Sequence, residues 1–332
     1  MSETRPGAVS GPAGSTVSPS TPGSTSTAGR CVVALDVGGT SMKAALVDEH
    51  MVARCRQSYP TPVEAGTDAV VDQIGHALKT MAAQAPAVGL APPSAAGVVV
   101  PGIVDEAAGV AVVAANIGWN DVPLVALLHE RLGMPVALGH DVRAGGLAET
   151  RIGAARGADD VLFVALGTGI AACCVVDGRP LSAGGYAGEI GHIVVEPDGE
   201  LCGCGGRGCL ERVASAAAIA RHYAERSGTA VSGAAEVAEA VRRGDEIARS
   251  VWDRAMAALL DVVHTSVTLL GPQVVVVGGG LAEAHDLVLP PLETGLAARL
   301  TFQRRPRVVR AALGDQAGCL GAALLAWQRI SQ

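Results

Sequence analysis

Aromatic side chains are nearly missing from this sequence. Three Trp, three Tyr and two Phe make up 2% of 332 residues, so aliphatic side chains must fill almost the whole core. Positive charge is short as well: 25 Lys and Arg face 32 Asp and Glu, a net charge of -7. An acidic chain with few aromatics argues against a nucleic-acid surface, which needs clustered Lys and Arg. No run reaches the roughly 18 apolar residues of a membrane span, so no membrane partner is expected. Residues 1–30 have no apolar central region and do not read as a secretory signal. Hydrophobic residues still make up 49% of the chain, enough for a sizeable core. The length suits two domains of about 150 residues each.

Of the first thirty residues, 21 are Ser, Thr, Pro or Gly. Such a segment cannot bury enough apolar surface to offset its ordering entropy, so a disordered tail over 1–30 is expected. The eight cysteines, three of them spaced like metal ligands, suggest a reducing cytoplasm rather than a disulfide framework.

The densest chemistry lies in Ala187-Gly-Glu-Ile-Gly-His192, Cys202-Gly-Cys204 and Gly208-Cys209-Leu-Glu211. Three thiolates and one imidazole, from His192, Cys202, Cys204 and Cys209, complete a closed tetrahedral shell, the composition of a structural zinc site. The alternative is a set of ordinary small buried cysteines. A zinc ion here would fold a loop over 187–211 and hold Glu189, His192 and Glu211. Gly203-x-Gly205-x-x-Gly208 has dinucleotide-fingerprint spacing, but no apolar strand precedes it, so that reading is rejected.

Cys31 to Asp36 reads as a buried strand, Val37-Gly38-Gly39-Thr40 as a turn, and Met42 to Val47 as the return strand. The N–H groups of Gly38, Gly39 and Thr40 are free to face an anion. Asp36 offers a hard oxygen to magnesium beside phosphates, and Lys43 a point charge. The same pattern restarts at Val161 to Leu166, turns at Gly167-Thr168-Gly169 and returns from Ile170. A plain glycine hairpin is the alternative for either copy. The matched pair suggests two similar domains clamping one polyphosphate. Helices are expected over 67–83, 122–132, 142–150, 214–226, 234–243, 245–270 and 316–329, and residues 116–121, with Trp119, as loop. Strands alternating with helices of these lengths indicate an α/β sheet.

Gly139-His140-Asp141 closes a strand just ahead of a helix. An acid there is placed for catalysis at a sheet's carboxyl edge. It is placed equally well to be a helix N-cap. Gly278-Gly279-Gly280 follows the strand 273–277, where backbone either approaches a flat ligand such as adenine or simply turns into a helix.

Taken together, Asp36-Val-Gly-Gly-Thr40-x-x-Lys43, Pro101-Gly-Ile-Val-Asp105, Asn116-x-x-Trp119, Leu166-Gly-Thr-Gly-Ile170, the 189–211 block and Val277-Gly-Gly-Gly280 resemble a ROK-family sugar kinase. The resemblance spans 31–330. It implies two actin-like (ribonuclease H-like) ATPase domains, 31–138 and 139–332, with a cleft between them. The last helix would be free to pack back on the first domain. It implies transfer of the ATP γ-phosphate, carried with Mg2+, to a hexose hydroxyl, usually that on C6, with glucose the default sugar. Asp141 matches the general base. Asn116, Glu189, His192 and Glu211 match sugar-holding residues, with Gly102 and His140 beside them. Asp36 to Thr40 and Gly167 to Gly169 match the phosphate turns. His192 would turn one ring nitrogen to zinc and the other toward sugar. A homodimer or higher homo-oligomer is implied too. The family's DNA-binding members carry an N-terminal helix-turn-helix, for which residues 1–30 lack the periodicity. A sugar-binding protein with lost catalysis and a kinase for an N-acetylhexosamine are the remaining alternatives, and polyphosphate stays open as a donor.

Three positions depart from the family pattern. His140 replaces the usual Asn before the catalytic Asp, Arg143 a small or amide residue, and Ala171, Ala172 and Cys173 further glycines. Histidine can gain a proton near pH 6.5. His140 is therefore expected to shift sugar preference and to steepen the loss of activity below neutral pH.

Overall fold

The computed structural model describes residues 28–114 and 116–331. Most of the expected tail, 1–27, lies outside the described residues. Residues 28–30 do not belong to a tail. Gly29 N–H donates to Gly89 O (3.3 Å), and Ala91 N–H donates to Gly29 O (2.9 Å). The Arg30 guanidinium lies 5.3 Å from the Trp327 ring centroid, a cation–π contact.

The chain opens as an antiparallel meander of β1 (Cys31–Val37), β2 (Ser41–Asp48) and β3 (Ala53–Pro60). Helix α1 (Thr67–Ala82) leads to β4 (Ala96–Val100), which pairs parallel with β1. Three short strands follow, β5 (Ile103–Asp105), β6 (Val110–Ala114) and β7 (Trp119–Val122), in a small antiparallel sheet of their own. Then come α2 (Leu124–Leu132), β8 (Val136–His140), parallel to β4, and α3 (Asp141–Ile152). The pattern repeats. A second meander is formed by β9 (Val161–Leu166), β10 (Ile170–Val176) and β11 (Arg179–Pro180). Next are the 181–209 loops and helices α4 (Leu210–Ala214), α5 (Ala216–Ser227), α6 (Ala234–Arg242) and α7 (Glu246–Leu270). Strand β12 (Val274–Gly278), α8 (His285–Arg299), β13 (Arg307–Arg310) and α9 (Ala317–Ser331) finish the chain.

The two five-stranded sheets have the same order, β3-β2-β1-β4-β8 and β11-β10-β9-β12-β13, with the same strand senses. The internal repeat seen in the glycine turns is thus a repeat of whole sheets. Each sheet is covered on both faces, which explains its continuous apolar runs. Along β1, Cys31, Val33, Leu35 and Val37 join the cluster with α1 and α2, while Val32 and Ala34 face α9. That is the two-residue period of a strand. Each buried Val or Leu contributes roughly 1.5–3 kcal/mol, so many small aliphatics replace the missing aromatics.

Helix α9 lies on β1, β4 and β8, α3 lies on β9 and β10, and the two helices pack on each other. Their contact depends on small residues: a Cβ at Gly321 would come within 2.3 Å of Ala144 O.

Several expected boundaries need correction. Trp119 is not in a loop but starts β7, and Val122 ends that strand rather than opening a helix. Pro123 is the reason, since the residue before a proline is disfavoured in helical geometry. Strand β8 runs on to His140, so α3 begins at Asp141 itself.

Candidate active site

Asp141 opens α3 at the end of β8, where the sheet's carboxyl edge meets a helix N-terminus. One carboxylate oxygen accepts the Val142 N–H (2.7 Å), and 31% of the side chain stays open. Burial raises its pKa to about 7, helped by the negative charges of Asp36 and Glu189 and opposed by the Val142 N–H and Arg143. The helix cap is its neighbour. His140 Nδ1 accepts the Arg143 N–H (3.3 Å), which puts the ring proton on Nε2. Burial, then the Arg143 charge, lower the His140 pKa to about 3. The expectation that His140 charges near neutral pH is therefore wrong. A ring walled in by protein beside a guanidinium stays neutral, so His140 forms no ion pair with Asp141.

Asp36 is the penultimate residue of β1, beside its cross-strand partner Lys43. Burial raises the Asp36 pKa to about 6, with Lys43 pulling it down and Asp315 pushing it up. Lys43 Nζ lies 3.6 Å from Asp315, just before α9, so β2 and the α9 entry meet at this turn. The Gly38 N–H, expected to be free for an anion, instead closes the turn on Ser41 O (3.0 Å), and Thr61 donates to Gly38 O (2.7 Å); Gly39 and Thr40 remain accessible. A Cβ on Gly39 would lie 3.6 Å from Asn116 Nδ2, so the structure brings Asn116 against the first turn. Gly102 follows β4 and leads into β5. The second turn is held differently. Gly167 N–H donates to Gly169 O (2.9 Å), Thr168 lies between them, and Ile170 N–H donates to the Glu211 carboxylate (3.0 Å). Glu211 therefore supports a phosphate-turn candidate as well as standing near the sugar-side acids.

Glu189 precedes a short 3-10 turn, Ile190–His192. Burial raises its pKa, His192 and Arg143 lower it, and Glu211 raises it again. Asp36, Asp141, Glu189 and Glu211 thus form a chain of neighbouring carboxylates with Arg143 among them. His192 turns Nε2 toward Glu189 (4.0 Å) and Nδ1 toward Cys202 Sγ (3.6 Å). Cys204 Sγ and Cys209 Sγ lie 3.7 Å apart, and all four ligand atoms lie within 4.8 Å of one another. Tetrahedral zinc with sulfur at about 2.3 Å needs sulfurs roughly 3.8 Å apart, so the donor set and its spacing fit that ion.

Gly278, Gly279 and Gly280 line a cavity of ≈ 170 Å³ with Arg310, Gly314 and Asp315. Gly280 also borders a wider one of ≈ 850 Å³ between α5, α6 and the 280–284 turn.

Residues 32–329 match the ROK family profile. A curated glucokinase of Thermotoga maritima is 34% identical, with 90% of this chain and 98% of that protein aligned. The chain belongs to the ROK family. An N-acetylmannosamine kinase of Citrobacter koseri is 32% identical over 89% of this chain and 98% of its own. Among solved structures, a ROK-family glucokinase from Streptomyces griseus in complex with glucose and AMPPNP superposes with a TM-score of 0.78 at 31% identity. That alignment covers 90% of this chain and 99% of the other.

In this ROK protein, sequence reasoning missed Glu106 and Asp315. Glu106, in the β5–β6 loop, accepts both the Arg143 Nε–H (3.1 Å) and the His140 N–H (3.4 Å). No local motif marks either acid, because each acts on a residue far away in sequence. Arg143, which departs from the family pattern, is buried and engaged on every guanidinium nitrogen.

Proposed function

We propose that this protein transfers the γ-phosphate of ATP to the C6 hydroxyl of a hexose, with glucose the first candidate and Asp141 as general base. It is an ATP-dependent sugar kinase of the ROK family, which the glucokinase relatives and the glucose- and AMPPNP-bound neighbour support. The observation that carries the finer reading is the position of Asp141. Its carboxylate, about a third open, has a pKa raised to about 7 and feels the charges of both Asp36, at the first phosphate turn, and the sugar-side acid Glu189. Phosphoryl transfer is mostly positioning and charge stabilisation, and the attacking hydroxyl needs a nearby acceptor for its proton.

In this reading Asp36, Gly38, Gly39, Thr40 and Lys43 meet Mg2+ and the phosphates from one side. Gly167, Thr168 and Gly169 meet them from the other, and Gly278, Gly279 and Gly280 approach the base. Asn116, Glu189, His192 and Glu211 accept from or donate to sugar hydroxyls, beside Gly102 and His140. The segments 31–138 and 139–332 act as two actin-like domains that close on both substrates. His192, Cys202, Cys204 and Cys209 hold a structural zinc. A cytoplasmic homo-oligomer is proposed from the family; no helix among the described residues is long and apolar enough to cross a membrane.

Purified protein offered ATP and a panel of glucose, mannose, fructose, allose, N-acetylglucosamine and N-acetylmannosamine should release ADP fastest with glucose. Preference for an N-acetylated sugar would move the assignment toward the Citrobacter relative; ADP release with none would refute the kinase. The pH dependence follows from Asp141. Only the ionised carboxylate takes the proton, so turnover should rise with pH through about 7 and level off above it. His140→Asn should leave that acid limb in place, since the imidazole gains no proton until about pH 3. A limb that moves with this substitution would assign it to His140 instead.

A further inference from the structure

Arg143 is 2% exposed, among the most buried charges of the described residues. Its guanidinium is occupied on every nitrogen. Nε donates to Glu106 (3.1 Å), one terminal nitrogen to Gly185 O (3.1 Å) and the other to Val104 O (3.3 Å). A buried ion of this kind is seldom the most stable filling; an apolar side chain of similar volume often does as well. The geometry rather than the charge is therefore the feature to account for.

The three acceptors sit on two segments, Val104 with Glu106 on one and Gly185 on the other, that lead to separate parts of the site. Val104 lies in β5, which runs through β6 toward Asn116. Gly185 lies four residues before Glu189 in the loop that follows the second meander. Arg143 itself stands two residues after Asp141, on the first turn of α3. Gly185 and β5 are pressed together: a Cβ at Gly185 would come within 2.5 Å of Val104 O. Glu106 completes the tie by also accepting the His140 N–H (3.4 Å). A planar fork with several fixed donors can set distances between three backbone segments, which a flexible ammonium cannot.

We propose that Arg143, held by Glu106, is a positioning residue of the hexose site: a clamp that fixes the separation of Asn116 and Glu189 about Asp141. It touches no substrate. The inference rests on the kinase reading.

The test compares Arg143→Met, Arg143→Lys and Glu106→Gln in the full-length, zinc-loaded protein, by steady-state kinetics and by calorimetric titration with hexose. Arg143→Met should raise the hexose KM and Kd at least about tenfold, with the ATP KM changed no more than about threefold, as expected for loss of a supporting hydrogen-bonded partner. Arg143→Lys keeps the charge but loses the fork, and should show most of the same defect. Glu106→Gln keeps an acceptor oxygen and should show little. If Arg143→Met does not fold, Arg143→Lys and a Glu106→Leu variant on the partly exposed loop carry the comparison. A hexose KM within twofold of wild type, an equal rise in both KM values, or full rescue by lysine would each overturn the clamp. A wild type that neither binds nor phosphorylates any hexose would overturn the kinase reading itself, and the clamp with it.

Discussion

Asp141→Asn should lower hexose turnover at least about 100-fold while leaving hexose affinity within a few-fold of wild type. The substitution keeps the shape of the side chain and the oxygen that accepts the Val142 N–H (2.7 Å). The start of α3 should therefore survive, capped as before by His140. What disappears is a carboxylate whose pKa, near 7, is matched to taking a proton at physiological pH. Structural capping and catalysis, equally open readings of an acid at this position, are separated by this one measurement. The cap already belongs to the neighbouring imidazole, so a loss of turnover would not be the loss of a cap. Turnover within threefold of wild type, in protein with an unchanged unfolding midpoint, would return Asp141 to a purely structural role.

The second large effect is expected from the proposed zinc site. Cys209→Ala should remove about one zinc per chain, lower the unfolding midpoint and weaken hexose binding by at least about tenfold. Cys209 is buried and directly precedes Leu210 and Glu211. The loop it closes has little core of its own. It is held by a few backbone bonds, among them Val195 N–H to Gly208 O (2.8 Å) and Cys202 N–H to Gly206 O (2.8 Å). Glu200 adds ion pairs to Arg212 (2.7 Å) and Arg221 (2.8 Å), which tie the loop to the helices behind it. Meanwhile Val194 and Leu201 are more than half exposed. In such a segment a bound zinc would take the place of apolar burial, and its binding free energy would become folding free energy. Glu189 and Glu211 flank the loop at both ends, so its collapse should reach the sugar. Cys55→Ala, at a half-buried thiol on β3, is the control and should change none of the three. Elemental analysis, thermal denaturation and calorimetry check the prediction; zinc-free protein with undiminished stability and hexose affinity would falsify it.

Much of this architecture is legible in the sequence because its signals are local. Each glycine turn sits between two apolar runs, so both hairpins can be read without a structure. The Cys-x-Cys-x4-Cys spacing with a nearby histidine brings four ligands together within one loop. What stays hidden is long-range. Glu106 meets Arg143 across 37 positions, and Lys43 meets Asp315 from opposite ends of the chain. The small β5–β6–β7 sheet is hidden for another reason: its strands are three to five residues long, too short for a period to emerge. His140 shows the limit most clearly. Residue type alone suggested a proton switch near neutral pH, but burial and a guanidinium it could not predict remove that switch.

The packing of α9 on the first sheet has a consequence for synthesis. The face formed by Val32, Ala34, Ala45, Val47 and Val99 is covered by Cys319, Leu320, Ala322, Ala323 and Ala326. Strands β1, β2 and β4 thus leave the ribosome well before the α9 residues that cover this face are made. At about 5–20 residues per second, that interval is on the order of 15–50 s. Throughout it the nascent chain carries an aliphatic sheet surface whose native cover made so far comes from Ala144 and Ala148 of α3. The same topology makes α9 a checkpoint on folding, since a chain interrupted before residue 317 lacks the helix that supplies most of this cover.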